Sequence, residues 1–237
     1  MGPIAGSLVP RRSEDDAVFT AMRVALSLAS AGVAGELFSL LVRAPFDKRM
    51  EEWCQYIEDC IRSLYARDRT IEAHLQSDEF VSVLLTATQS AVRTHKRAKR
   101  ELLGNAVQAS ITGSSLPTDM QLLFIRFVDE LTLTHIMIFA QIRLNEAAAA
   151  ECASYEQLFA LIVESAGIDC RRDQFTLFCN DLQIRALVRF SEVLDGFPGL
   201  AETSAIVTEA SGTGPKVAVS QLGSEFLEFI KNPAKTA

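Results

Sequence analysis

Apolar residues recur at helical spacing along most of the chain, and they are densest between residues 116 and 144. Thr118 and Gln121 lie three positions apart near the start of this stretch, which matches a capping box and predicts the beginning of a helix. Apolar residues then fill nearly every face until residues 131–134, and the pattern resumes at His135. We therefore predict two core helices with a short joint between them. Four side chains of these helices should be buried together: Phe124, Phe127, Ile138 and Phe139.

Two further helices are predicted ahead of this pair. Apolar residues from Phe46 to Leu64 recur every three or four positions, and Pro45 stands just before them, where a first helical turn accommodates proline. A second helix should begin after a cap at Ser77 or Asp78 and should end near Gly104.

Residues 17–42 leave two interpretations open. Residues 24–42 form a 19-residue stretch with one carboxylate, close to the length that crosses a hydrocarbon core. Much of the stretch is Ala, Ser and Gly, which gain little from lipid, and Glu36 would be costly there. We expect a helix packed inside a soluble bundle, and membrane insertion is the alternative.

The pattern changes after the alanine-rich residues 147–153. Shorter helices and extended stretches follow, the latter at residues 187–190, 205–207 and 216–219, with the Gly-rich loop 209–215 between the last two. This order resembles a winged-helix domain, in which the loop would be the wing. We predict a mainly α fold, in which an N-terminal helical bundle precedes a small α+β winged-helix-like domain. The predicted segments are a flexible tail at residues 1–16, the bundle at 17–146, a connector at 147–153, the winged-helix-like domain at 154–231 and a second tail at 232–237.

The whole chain also resembles a group of uncharacterised bacterial α-helical proteins. The likeness rests on the APFDKR sequence at residues 44–49, the EEW sequence at residues 51–53 and the FVDELT sequence at residues 127–132. This resemblance implies a bacterial, mainly helical protein and brings no catalytic assignment.

Composition favours a globular cytoplasmic protein. The 237 residues are 49% hydrophobic and carry a formal net charge of −7, which gives no general attraction for nucleic acid or anionic lipid. The five cysteines form no CxxC pair, so free, mostly buried thiols in a reducing compartment are expected.

Two groups of basic or polar residues are candidate interaction sites. One group is a basic run, which suggests a nucleic-acid or lipid-headgroup patch, although residues 45–104 contain ten basic and ten acidic residues and can neutralise it. The other group belongs to the presumed recognition helix and wing, where residues 152–231 hold 6 Lys and Arg against 11 Asp and Glu. Because non-specific DNA affinity comes mainly from neutralising phosphates, this acidic balance favours protein contacts. The candidates are Arg93, Lys96, Arg97, Lys99 and Arg100 in the run, and Gln183, Arg185 and Lys216 in the second group.

No arrangement of residues indicates catalysis, a metal ion or a cofactor. The Gly-rich loop lacks the spacing and the Gly-Lys-Ser/Thr ending of a phosphate-binding loop. His135 has no second ligand three or four positions away, so it should be a core or interface histidine. We expect a non-enzymatic scaffold or interaction protein, whose acidic winged-helix-like domain binds a protein partner or a second copy of the chain. A DNA-binding transcriptional regulator and a membrane-active effector that uses residues 17–42 are the alternatives.

Overall fold

Ten α-helices and one two-stranded antiparallel sheet make up the residues that the computed structural model describes, which are 36–112, 115–190 and 217–231. The prediction of a mainly α protein is therefore confirmed. The chain divides into two compact units, Met1–His95 and Lys96–Ala237.

In the first unit two long helices pack against each other, and a 3-10 turn and one short helix connect them. Its stripe of apolar residues includes Trp53, Ile57 and Ile61, which are almost completely buried. The Trp53 indole Nε1 donates a hydrogen bond to Thr88 Oγ1 at 2.9 Å, so the polar edge of this buried ring is satisfied. The elements are α1 (Glu36–Arg67), a 3-10 turn (Arg69–Ile71), α2 (Glu72–Leu75) and α3 (Asp78–Arg93).

Helix α1 passes through Pro45, so the predicted helix start at this proline is wrong. Proline cannot donate the backbone hydrogen bond that an internal position normally makes, and it usually kinks or ends a helix. Ser77 is the cap of α3, as predicted, because its side chain accepts a hydrogen bond from the Phe80 N–H.

The predicted helix ending near Gly104 is two helices. Thr94 and Lys96 have extended backbones and separate α3 from the next helix, which continues through Gly104 and Asn105 without a pause. Like charges three or four positions apart repel one another on a helix, which weakens a continuous helix across this basic run. The Asn105 amide donates to the Ile230 carbonyl at 3.0 Å, which holds this part of the helix against the end of the described chain.

The second unit contains the remaining seven helices and the sheet of the described chain. It begins with α4 (Arg97–Ile111), α5 (Thr118–Glu130) and α6 (Leu133–Leu144). It continues with α7 (Glu146–Glu151), α8 (Tyr155–Phe159), which a π-helical turn (Ala160–Glu164) extends, and α9 (Arg172–Ile184). It closes with β1 (Val188–Phe190), β2 (Val217–Val219) and α10 (Gln221–Phe229).

The core of the second unit is centred on Phe226 of α10. Its ring lies 5.4 Å from the Phe124 ring, 5.8 Å from the Phe127 ring and 6.2 Å from the Phe139 ring, measured between centroids. Ile138 is also fully buried. The prediction that the four side chains of the central pair are buried is confirmed.

The two strands pair in an antiparallel ladder in which Val188 faces Val219 and Phe190 faces Val217. These strands fall within two of the predicted extended stretches. Helix α7 packs against β2, and the Glu146 carboxylate accepts a hydrogen bond from the Val219 N–H at 3.1 Å. The two-domain division with a connector at residues 147–153 stays a prediction.

Several predicted features lie outside the described residues. These are the two tails, residues 17–35 of the ambiguous N-terminal stretch, the extended stretch 205–207, the loop 209–215 and Lys216. Among the helices that are described, none has both the length and the apolar composition needed to cross a bilayer. None of the five cysteines forms a disulfide, and Cys152 and Cys179 are buried.

Candidate functional site

The predicted basic run is not a single helical patch. Arg93 ends α3, and the other four members stand at or near the start of α4. Arg97 forms an ion pair with Glu101 at 2.8 Å. The Lys99 ammonium donates to the backbone carbonyl of Asp129 at 2.8 Å, and partial burial lowers its pKa. Lys99 is therefore committed to the end of α5 rather than presented to a ligand.

Arg185, a candidate interaction residue of the presumed recognition helix, is also held inside the second unit. Its guanidinium pairs with Glu130 Oε2 at 2.9 Å and lies 4.0 Å from Asp181 Oδ1, and the side chain is only 22% exposed. The Gln183 side-chain oxygen is buried and has no hydrogen-bond partner among the described residues. Neither residue is presented outward as a base-reading side chain would be.

The Arg185 pairs belong to a polar cluster at the joint between α5 and α6, with His135 at its centre. Thr132 caps α6: its hydroxyl accepts the His135 N–H, and the His135 ring Nδ1 accepts the Thr132 backbone N–H at 3.2 Å. This reciprocal pair is the capping box of the central helices. The box predicted at Thr118 is wrong, because Pro117 occupies the cap position there and the Gln121 amide donates instead to the Leu116 carbonyl.

The cap determines the tautomer of His135. A backbone N–H can only donate, so Nδ1 is the acceptor and the ring proton of the neutral imidazole lies on Nε2. Nε2 donates to Asp181 Oδ2 at 3.2 Å, and the ring packs against Phe178 at 4.1 Å between centroids. Burial lowers the pKa of His135, and the attraction of the Asp181 carboxylate offsets part of this effect. His135 is a buried, hydrogen-bonded core residue, as predicted.

The order hydroxyl, imidazole, carboxylate resembles a nucleophilic triad, but its members are occupied in the fold. The Thr132 hydroxyl lies 2.8 Å from His135 Nδ1, and the same oxygen caps the helix. Activating that hydroxyl as a nucleophile would require the cap to open. Within residues 36–112, 115–190 and 217–231, no three His, Cys, Asp or Glu side chains converge to hold a metal ion.

Helix α9, which contributes Asp181 to this cluster, has one side packed in the core and another side exposed. Phe175, Cys179 and Leu182 are fully buried and define the inner side of this helix. Leu177 and Ile184 point away from them and are 58% and 64% exposed. We call the outward residues the α9 outer face: Asp173, Leu177, Asn180, Asp181 and Ile184.

The sequence predicts α9 as the candidate interaction helix but assigns its contacts to Gln183 and Arg185 rather than to the α9 outer face. Helical periodicity relative to Phe175 and Leu182 was the signal that could have placed Leu177 and Ile184 outside. The partners of Asp181 and Arg185 carried no such signal, because His135 and Glu130 are 46 and 55 residues away in the chain.

No protein-family model, curated protein or solved structure matches this chain. The resemblance to bacterial α-helical proteins therefore stays a prediction.

Proposed function

We propose that this chain is a non-enzymatic, cytoplasmic interaction protein that contacts a partner protein through the α9 outer face. The observation that carries the proposal is the pair of large apolar side chains, Leu177 and Ile184, exposed two turns apart on one helix. Exposed apolar side chains that share one helical face are typical of surfaces that bind other proteins.

The charges around this pair favour protein over DNA as the partner. Asp173 and Asp181 lie on the outer face, whereas Arg185 is engaged by Glu130 on its inner flank. A helix that enters the major groove needs cations directed at phosphates, and the exposed arginines at the start of this helix, Arg171 and Arg172, are paired with Asp173 and Glu156.

The size of the apolar contribution follows from the exposure. Complete burial of a Leu or Ile side chain contributes about 1.5–3 kcal/mol, so covering two side chains that are roughly three-fifths exposed contributes about 1–2 kcal/mol each. Replacing Leu177 with Glu should therefore weaken the complex by about tenfold or more, since 1.4 kcal/mol corresponds to tenfold.

We also propose that residues 154–231 adopt a winged-helix-like arrangement. The order of α8, α9, β1, β2 and α10, with an antiparallel β1–β2 pair, supports it. In that arrangement α9 takes the place of the helix that reads DNA in DNA-binding relatives of the fold, and here it would be used for protein contacts.

The test is recovery of a partner from native cells by the full-length chain. A photo-crosslinking amino acid at position 177 should capture a discrete protein, and the same amino acid at position 81, an exposed apolar site on α3, should not. The double substitution Leu177→Glu with Ile184→Glu should release that protein, and the matched control Val81→Glu should retain it.

Two results would overturn the proposal. Partner recovery unchanged by the double substitution would exclude the α9 outer face. Retention of duplex DNA at low ionic strength, weakening steeply with added salt, would favour the transcriptional regulator instead.

A further inference from the structure

The α9 outer face carries charge as well as apolar area, and the two are interleaved. Successive residues of an α-helix are rotated by about 100°, so Leu177 and Ile184 point within about 20° of each other. Asp181 lies between them along the helix axis, about 40° to one side of Leu177, and Asp173 lies one turn before Leu177, about 40° to the other side. Each apolar side chain is therefore bordered by a carboxylate.

Asp181 is held in a defined position. Its Oδ2 accepts from the His135 ring at 3.2 Å, and its Oδ1 lies 4.0 Å from the nearest Arg185 nitrogen. The side chain is still 37% exposed. A carboxylate offers about four acceptor directions, so Asp181 can accept a further donor from outside without losing His135.

Asp173 is more open, with a side chain that is 68% exposed. Both of its oxygens receive hydrogen bonds from the neighbouring Arg171, at 2.8 and 3.1 Å. This exposed pair is local to the start of the helix, and it leaves Asp181 as the charge nearest the centre of the outer face.

A second copy of the chain fits this face poorly. In an antiparallel two-fold pairing of α9 with itself, Leu177 of one copy meets Ile184 of the other, which brings the two Asp181 side chains together near the axis. In a parallel pairing the two Asp181 side chains lie at the same height on opposite sides of the contact, and neither meets a cation. The antiparallel arrangement therefore brings like charges together and the parallel one pairs no opposite charges, so neither favours self-association.

We propose that the α9 outer face receives an amphipathic helix of a different protein, with two apolar residues seven positions apart and a lysine or arginine placed between them to meet Asp181. The proposal rests on the proposed function and names the chemistry of its partner. The apolar spacing matches Leu177 and Ile184, and the cation supplies the charge that a second copy lacks. His135 is a positioning residue here, because it holds the Asp181 carboxylate that would make the contact.

The probe is a pair of labelled helical peptides of about 18 residues, long enough to hold a helix. Both carry Leu at two positions seven apart, and the residue four positions after the first Leu is Lys in one peptide and Glu in the other. Fluorescence anisotropy with the full-length protein should show the Lys peptide binding about tenfold more tightly, since charge-assisted contacts that are partly desolvated have this size. The difference should shrink with added salt.

Two variants assign the effect to its residue. Asp181→Asn should reduce the preference for the Lys peptide to about twofold or less, because the amide keeps the shape of the side chain but not its charge. Asp59→Asn, which removes the charge of an exposed aspartate on α1 outside this face, is the matched control and should leave the preference in place. Hydrogen exchange of α6 in Asp181→Asn, compared with wild type, checks that the joint remains folded.

The remaining outcomes would each overturn the inference. Equal binding of the two peptides would show that the α9 outer face does not select a cation. If neither peptide bound, an amphipathic helix would be excluded as the partner segment. A concentration-dependent dimer in sedimentation that Leu177→Glu dissociates would make a second copy the occupant. None of these outcomes contradicts the proposed function. That proposal fails separately if the partner is recovered from cells equally well with the Leu177→Glu and Ile184→Glu double variant.

Discussion

Gly223 has no space for a side chain, and Gly223→Ala should destabilise the second unit. The glycine is in the first turn of α10. A Cβ added there would lie 2.3 Å from the Leu187 carbonyl oxygen and 2.9 Å from Cζ of Phe139. Both distances are shorter than real Cβ contacts, so α10, the backbone at Leu187 just before β1, or the Phe139 ring has to move.

None of these groups can move without breaking other interactions. The Leu187 oxygen accepts from the Ser220 N–H at 3.1 Å and from the Ser220 hydroxyl at 3.2 Å, and this serine also caps α10. The Phe139 ring is fully buried and stacks on Phe226, with the two planes 8° apart. A displaced carbonyl would weaken the connection between β1 and α10.

The expected loss is about 3 kcal/mol. Overpacking of this kind costs about 1–3 kcal/mol, and weakening two hydrogen bonds costs about 0.5–1.5 kcal/mol each. Alanine is the better helix former by about 1 kcal/mol, which offsets part of the total.

Urea denaturation followed by circular dichroism gives the change in unfolding free energy, and hydrogen exchange of amides in β1 and α10 assigns it to the second unit. Gly167→Ala is the matched control. Gly167 has a positive φ of 61°, and its added Cβ meets no atom of the described residues within 4 Å, so only backbone strain of about 1 kcal/mol is expected. A smaller loss for Gly223→Ala than for Gly167→Ala would refute the packing argument.

Three other predictions concern the same unit. Phe127→Ala should cost about 3–5 kcal/mol in urea denaturation, because it opens a cavity beside Phe226; a loss of a few tenths would contradict the position of the core. Ala186 has a positive φ of 57°, so Ala186→Gly should raise the unfolding free energy by about 1 kcal/mol, and a decrease would show that the alanine side chain makes contacts that outweigh its strain. The lowered pKa of His135 means that the unfolded chain binds a proton there more readily than the folded chain. Its contribution to stability should be complete above the ordinary histidine pKa of about 6.5 and should be lost as the pH falls from there to the folded-state pKa. The difference in unfolding free energy between wild type and His135→Gln should therefore shrink with acid, and a difference that is constant from neutral pH to pH 5 would contradict this assignment.

Local signals predicted the helices well where they agreed with one another. The apolar runs around Phe124 and Phe139 are long enough to define helices, and the break in their pattern at residues 131–134 contains Leu131 and Thr132, where the two helices meet. The serine caps at Ser154 and Ser220 are local in the same way, because each side-chain oxygen accepts a hydrogen bond from a backbone N–H only three residues ahead.

The errors came where a local preference conflicts with another interaction. Gly104 and Asn105 resemble a helix stop, but the helix continues through them. The Asn105 amide donates a hydrogen bond to a carbonyl 125 positions later in the chain. The Thr118–Gln121 pair has the capping-box sequence, yet Pro117 takes the cap position. Threonine and histidine at positions 132 and 135 form the real box, which differs from the usual Ser/Thr and Glu/Gln combination.

The candidate site was only partly predictable, because the sequence shows which charges a helix carries but not where their partners lie. Arg185 and Lys99 are cations that the sequence alone suggests for ligand binding. In the fold, Arg185 donates to the Glu130 carboxylate and Lys99 donates to the Asp129 carbonyl. What remains outward on α9 is therefore more acidic and more apolar than its composition suggests. The property that would select a partner is then the placement of Asp181 between two exposed apolar side chains, and this placement depends on a histidine 46 residues earlier.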